Sequence, residues 1–237
     1  MGTFPSHRVT QRYPASLYAN GDKMSAFTEL KRHNERLYPG DDDHIRLSQF
    51  IDLLGIVRPL RQGDYIEMGT YQGGTARWIW RLRRPGSTLL CFDTFDGFPQ
   101  EDMDVERRFR PAHNWTRTSF KPTTMDEVRQ NITVGDETDV DKLVLVQGRV
   151  PQTLALYDAY RFRFCHIDMD LYEPTQHAIR WLWPRVVHGG IVVFHDYAAP
   201  SMPGVKQAVD DFSERTGLVG LPMGDACGSL MFVKAMA

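Results

Sequence analysis

The 237-residue chain is expected to fold as a doubly wound α/β unit with a helical extension in front. Three observations predict it. Short apolar runs alternate with helical patterns from Tyr65 to Phe194, which implies a mostly parallel sheet with right-handed crossovers. Acids stand at the ends of four of those runs (Glu67, Asp93, Asp168 and Asp196), on the edge where open α/β sheets bind ligands. Two last runs, Leu218–Leu221 and Leu230–Val233, flank Gly224 and Gly228 and read as a C-terminal antiparallel β-pair.

The elements follow in order. Residues 1–22 are polar, contain Pro5 and Pro14, and read as a loose arm. Met24, Phe27 and Leu30 set a helical period that stops at Pro39-Gly40. Asp41, Asp42 and Asp43 suit the positive end of a second helix, running through Leu47, Phe50, Ile51 and Leu54 to Val57. Residues 1–60 thus form an N-terminal extension and 61–237 the sheet domain. The first strand is Tyr65–Glu67, followed by a helix from Thr75 to Arg84 and a second strand, Thr88–Phe92. Residues 97–122 carry Pro99, Pro111 and Pro122 with mixed charge and read as a long irregular lid, with His113 in it as a solvated loop residue. Thr124 and Glu127 form a capping-box pattern opening a helix to Asn131. Leu143–Gln147 is the third strand, and Pro151 suits the first position of a helix. Phe162–Ile167 is the fourth strand. A helix from Pro174 to Val187 is expected to close at Gly189-Gly190, ahead of a fifth strand, Ile191–Phe194. Val205–Thr216 is helical and ends at Gly217. Trp78, Trp80, Trp181 and Trp183 are expected to pack the core.

Composition excludes several classes. A net charge of −2 gives no electrostatic case for nucleic acid or a membrane surface. No window approaches 18 apolar residues, and the first residues lack the apolar stretch of a signal peptide. Cys91, Cys165 and Cys227 are an odd number far apart, which suggests free thiols in a reducing cytoplasm.

Residues 64–75 have the form of a nucleotide-binding first turn. Gly69 allows a sharp turn, and Gly73-Gly74 would let a ligand approach the main chain and a helix N-terminus. Asp93, 24 positions after Gly69, stands near the offset at which an acid accepts hydrogen bonds from ribose hydroxyls. The spacing Gly69-x-x-x-Gly73-Gly74 is not the G-x-G-x-x-G that cradles a pyrophosphate. This disfavours an NAD(P)-dependent oxidoreductase and leaves that class, with a non-catalytic nucleotide-binding domain, as an alternative.

The segments from Phe162 to Thr175 and from His188 to Tyr197 resemble the macrocin O-methyltransferase family, S-adenosylmethionine (SAM)-dependent enzymes that methylate sugar hydroxyls in antibiotic pathways. Residues 66–74, 92–99 and 203–212 fit the same pattern, and the resemblance spans most of the chain from about residue 22. It implies the Rossmann-like fold of class I methyltransferases and a glycoside or sugar substrate. It also implies that Glu67 and Gly69, with Thr70, Tyr71 and Gly73 of the same turn, bind SAM. Asp93 would hold its ribose, Gly148 and Arg149 would flank its adenine, and Asp168 would border it. Family members commonly bind Mg²⁺ through an acid after the fourth strand and an acidic pair after the fifth. Asp168 and Asp196 match those positions. His195 stands where the first acid of the pair is expected, so either the set of Asp168, His195 and Asp196 holds Mg²⁺ more weakly, or a different metal that suits imidazole binds, or none does. An aliphatic hydroxyl, whose unassisted pKa lies far above neutral as that of water does, needs a base or a metal. Asp170 and His195 are the candidate bases beside Asp168. A homo-oligomer is compatible with the chain.

Overall fold

The computed structural model describes residues 22–37, 44–111, 120 and 123–235. Asp41–Asp43 and His113 lie outside them. The strands are β1 (Asp64–Met68), β2 (Leu89–Asp93), β3 (Leu143–Gln147), β4 (Phe162–Ile167), β5 (Val186–Phe194), β6 (Leu221–Pro222) and β7 (Leu230–Val233). The helices are α1 (Asp22–Leu37), α2 (His44–Val57), α3 (Gly74–Leu82), α4 (Gln100–Glu106), α5 (Met125–Thr133), α6 (Tyr172–Leu182) and α7 (Pro203–Thr216). They build one sheet in the order β3-β2-β1-β4-β5-β7-β6. The first five strands run parallel, and β7 pairs antiparallel with both β5 and β6.

Both faces of the sheet are covered, which is why β4 is buried along its whole length. Tyr65, Cys91, Phe164 and Val193 face a core closed by α2, α3 and α5. Ile66, Phe92, Cys165 and Phe194 face the opposite core, closed by α6 and α7. The alternation of period two therefore decides which helix layer each strand residue meets. Trp78 and Trp80 on α3 are buried in the first core, as expected. The second helix of the N-terminal extension is integral to that core, because Phe50 of α2 packs edge-on against Trp78 and Phe164.

Three local expectations are corrected. Gly189-Gly190 do not end a helix: α6 ends at Leu182, a short 3₁₀ turn follows, and both glycines lie inside β5. The register there moves from Phe162↔Val186 to Phe164↔Ile191, and Gly189 takes up the irregularity with φ +77°. Pro151 does not open an α-helix. Its peptide bond is cis, and only one 3₁₀ turn, Leu154–Tyr157, follows. Residues 97–122 are not wholly irregular, because they contain α4. Its buried face carries Asp102, Met103 and Glu106, so no apolar period marks it. The capping box of Thr124 and Glu127 forms as expected.

Candidate active site

The carboxyl ends of β1 to β5 open into one cavity of about 330 Å³. Glu67, Gly69, Thr70, Tyr71, Asp93, Gly148, Arg149, Asp168, Asp170, His195 and Asp196 all line it. Gly73 does not. A Cβ there would lie 2.8 Å from Ile132 of α5, so this glycine serves the packing of α5 on the first turn rather than a ligand. Gly69 borders the cavity, but the need for glycine comes from the sheet. Its φ is +88°, and a Cβ would lie 1.7 Å from the Asp168 carbonyl oxygen on the neighbouring strand end.

Asp93 organises the first turn. Its Oδ2 accepts the Tyr71 N–H at 2.7 Å and its Oδ1 the Phe95 N–H at 2.8 Å. Burial pushes its proton affinity up, and these amide bonds pull it back. Gly148 donates its N–H to the Asp93 carbonyl at 2.9 Å, which brings the end of β3 alongside. Arg149 forks onto Asp102 of α4, with Nη2–Oδ1 at 2.6 Å and Nε–Oδ2 at 3.1 Å.

Glu67 is buried and bonded to His166 of β4, Oε1–Nδ1 2.9 Å. Burial raises its proton affinity well above the usual carboxylate range, and the charges of Asp168 and Asp93 add to this. Burial also holds His166 neutral, lowering it to about 3. Among the described residues, Glu67 Oε2 makes no hydrogen bond. It is a buried acceptor at the cavity wall, suited to a cationic group such as an ammonium.

At the other end, Asp168, Asp170 and Asp196 each offer an oxygen, and these lie within 4.8 Å of one another. Asp170 and Asp196 hold left-handed backbone conformations, φ +62° and +58°. His195 contacts Asp168 Oδ1 at 2.9 Å and Asp196 Oδ2 at 3.2 Å through Nδ1, while Arg46 of α2 meets its Nε2. A guanidinium can only donate, so it is in the neutral ring that Nε2 accepts and the Nδ1–H points at the acids; the charged ring would turn a donor toward Arg46 as well. Burial opposes a charged His195, but the charge of Asp168 and its bond outweigh that and raise it well above its usual value. Burial likewise opposes the Asp168 charge, yet the imidazole of His195 holds Asp168 below the usual range. Burial and then the charges of Asp168 and Asp196 push Asp170 well above it.

Both ring nitrogens of His195 are thus engaged, and the third oxygen near Asp168 and Asp196 comes from Asp170. The residues fit a hard divalent cation through oxygen, with the imidazole beside it rather than in the expected acid's role. Sequence reasoning missed Arg46, which sits in the extension without any pattern to mark it, and the apolar wall of Phe95, Phe98 and Phe120. It also missed Asp102, hidden in the mixed-charge segment.

The sheet order with its antiparallel last pair, the glycine turn after β1 and the acid at the end of β2 are compatible with the class I methyltransferase fold. Residues 43–226 match the model of the Macrocin-O-methyltransferase (TylF) family, and the chain belongs to that family. It is 28% identical over 179 residues to the 8-demethyl-8-(2,3-dimethoxy-alpha-L-rhamnosyl)-tetracenomycin-C 4'-O-methyltransferase of Streptomyces olivaceus, covering 74% of this chain and 67% of that one. The solved structure of the O-methyltransferase NovP superposes with a TM-score of 0.69 at 25% identity, over 81% of each chain. The O-methyltransferase TomG from Streptomyces achromogenes, solved with SAM, shares the fold at a TM-score of 0.57 and 17% identity, over 93% of this chain and 94% of that one.

Proposed function

We propose that this chain methylates a hydroxyl of a sugar, free or carried on a natural product. The observation that carries the reading is the convergence of Glu67, Asp93, Asp168, Asp170 and Asp196, from four strand ends, on one cavity. The rhamnosyl acceptor in the name of the Streptomyces olivaceus relative supports the sugar class. Free Cys91, Cys165 and Cys227 suit work in a reducing cytoplasm.

In this reading the Glu67 carboxylate receives the methionyl ammonium through Oε2, and His166 fixes the other oxygen. Asp93 accepts from the ribose hydroxyls, and Gly148 and Arg149 border the adenine. Asp168 and Asp196 would hold Mg²⁺, which when bound lowers the pKa of a nearby hydroxyl. The acceptor oxygen forms a bond to the methyl carbon as the carbon–sulfur bond breaks and the pair stays on sulfur. The hydroxyl proton passes to Asp170, because His195 has both nitrogens committed. Asp170's raised proton affinity suits a base. Phe98, Phe120 and Met202 border the cavity with apolar surface that keeps water from the methyl.

The test is transfer of labelled methyl from SAM to a panel of glycosylated natural products, nucleotide sugars and sugar-free phenols. Label in the sugars is the expected result. Label in the phenols alone would overturn the sugar assignment, and a purified protein that binds no SAM would overturn the cofactor roles.

A further inference from the structure

Neither α6 nor α7 carries its own N-cap. The cap positions are Leu171 and Met202, whose side chains accept no hydrogen bond, so the amides of both first turns need another partner. One carboxylate serves both. Glu106, at the end of α4 and 2% exposed, accepts the Tyr172 N–H through Oε2 at 2.8 Å. Its Oε1 accepts the Gly204 N–H at 3.1 Å. Gly204 is glycine for this approach, since a Cβ there would lie 2.1 Å from Oε2. The next turn of chain adds two contacts to the same places. The Phe109 ring lies 4.7 Å from that of Tyr172, and Arg110 donates to the Ser201 carbonyl at 2.7 Å.

The two capped helices begin where the catalytic loops end. The loop Asp168–Leu171 leads into α6, and the loop from Asp196 to Met202 leads into α7. Asp170 and Asp196 sit in left-handed conformations that a non-glycine residue keeps only when its surroundings fix it. At the other end of α4, Asp102 grips Arg149 beside the cavity.

We propose that Glu106 is a positioning residue: by capping α6 and α7 together, it fixes the Asp168–Asp170 and Asp196 loops relative to each other and makes α4 a strut rather than a moving lid. This rests on the methyltransfer reading above. In that reading most SAM contacts (Glu67, Asp93, Gly148 and Arg149) come from the ends of β1, β2 and β3, which Glu106 does not touch, so cofactor affinity and turnover should separate.

Glu106→Gln keeps the shape but offers one acceptor oxygen and turns an NH₂ toward the other amide. Calorimetry should show SAM affinity within about twofold of the parent, while kcat on whichever sugar of the labelled-methyl panel the parent methylates falls about tenfold. Gly204→Ala keeps the carboxylate and displaces it, and should give the same split. Amide exchange should quicken over 168–172 and 196–204 in both variants and stay unchanged over 69–71. A parent protein that binds no SAM would defeat the functional reading instead. Unchanged exchange over those loops in Glu106→Gln, or unchanged kcat in a variant that is merely less stable, would overturn the positioning role.

Discussion

Replacing Asp93 tests the joint between fold and cofactor. A carboxylate has about four lone-pair sites. The Tyr71 and Phe95 amides take two of them at 2.7 and 2.8 Å, and the Thr94 hydroxyl makes a long third contact to Oδ1 at 3.4 Å that a ribose hydroxyl would displace. Each hydrogen bond to a charged acceptor contributes about 1.5–3 kcal/mol. Part of that is offset by burying the carboxylate, so Asp93→Ala should destabilise the free protein by about 2–4 kcal/mol. For a chain of this size that is a fall in Tm of about 4–16 °C. Loss of the ribose bonds should weaken SAM at least about tenfold on top, equivalent to about 1.4 kcal/mol. Asp93→Asn keeps one acceptor for Phe95 and turns a donor toward Tyr71, so its Tm should fall about half as far. Scanning calorimetry measures the first effect and titration calorimetry at a temperature where both proteins are folded the second. A change in SAM affinity below twofold would refute the ribose role and leave Asp93 only as the anchor of the turn.

Gly69→Ala should destabilise the fold itself by several kcal/mol, on the order of 4 or more, because its Cβ would strike the Asp168 carbonyl at 1.7 Å; urea unfolding within 1 kcal/mol of the parent would contradict this. His195→Asp restores an acid beside Asp168 and Asp196 and should tighten Mg²⁺ by about tenfold in direct titration; if affinity does not rise, EDTA leaves turnover intact and Asp196→Asn is harmless, the metal role fails. His33 is lowered to about 4 by burial and the charges of Arg77 and Arg36. The unfolded chain therefore binds the extra proton between about 6.5 and 4, and this stabilisation, complete above pH 6.5, is lost as pH falls through that window. Denaturant titrations at pH 7.5 and 5.0 should differ by up to about 2 kcal/mol more in the parent than in His33→Gln.

By itself the sequence determined the alternation of strands and helices, the terminal antiparallel pair and the acids at the strand ends. These are local signals: a period of two or 3.6, a glycine, a capping box. All eleven predicted positions that line the cavity sit within three residues of a strand's end, which is why linear reading found them. Tertiary structure decided what linear patterns cannot carry. The bulge at Gly189 follows from register with β4, and Gly73 answers to α5 rather than to a ligand. His195 is turned by Asp168 and by Arg46, which comes from 149 positions away. The helix α4 was hidden because its buried face is acidic, and Asp102 and Glu106 are tolerable inside only because Arg149 and two uncapped helix starts meet them there. Burial of a charge depends on its partners, and those partners are assembled only when the chain folds.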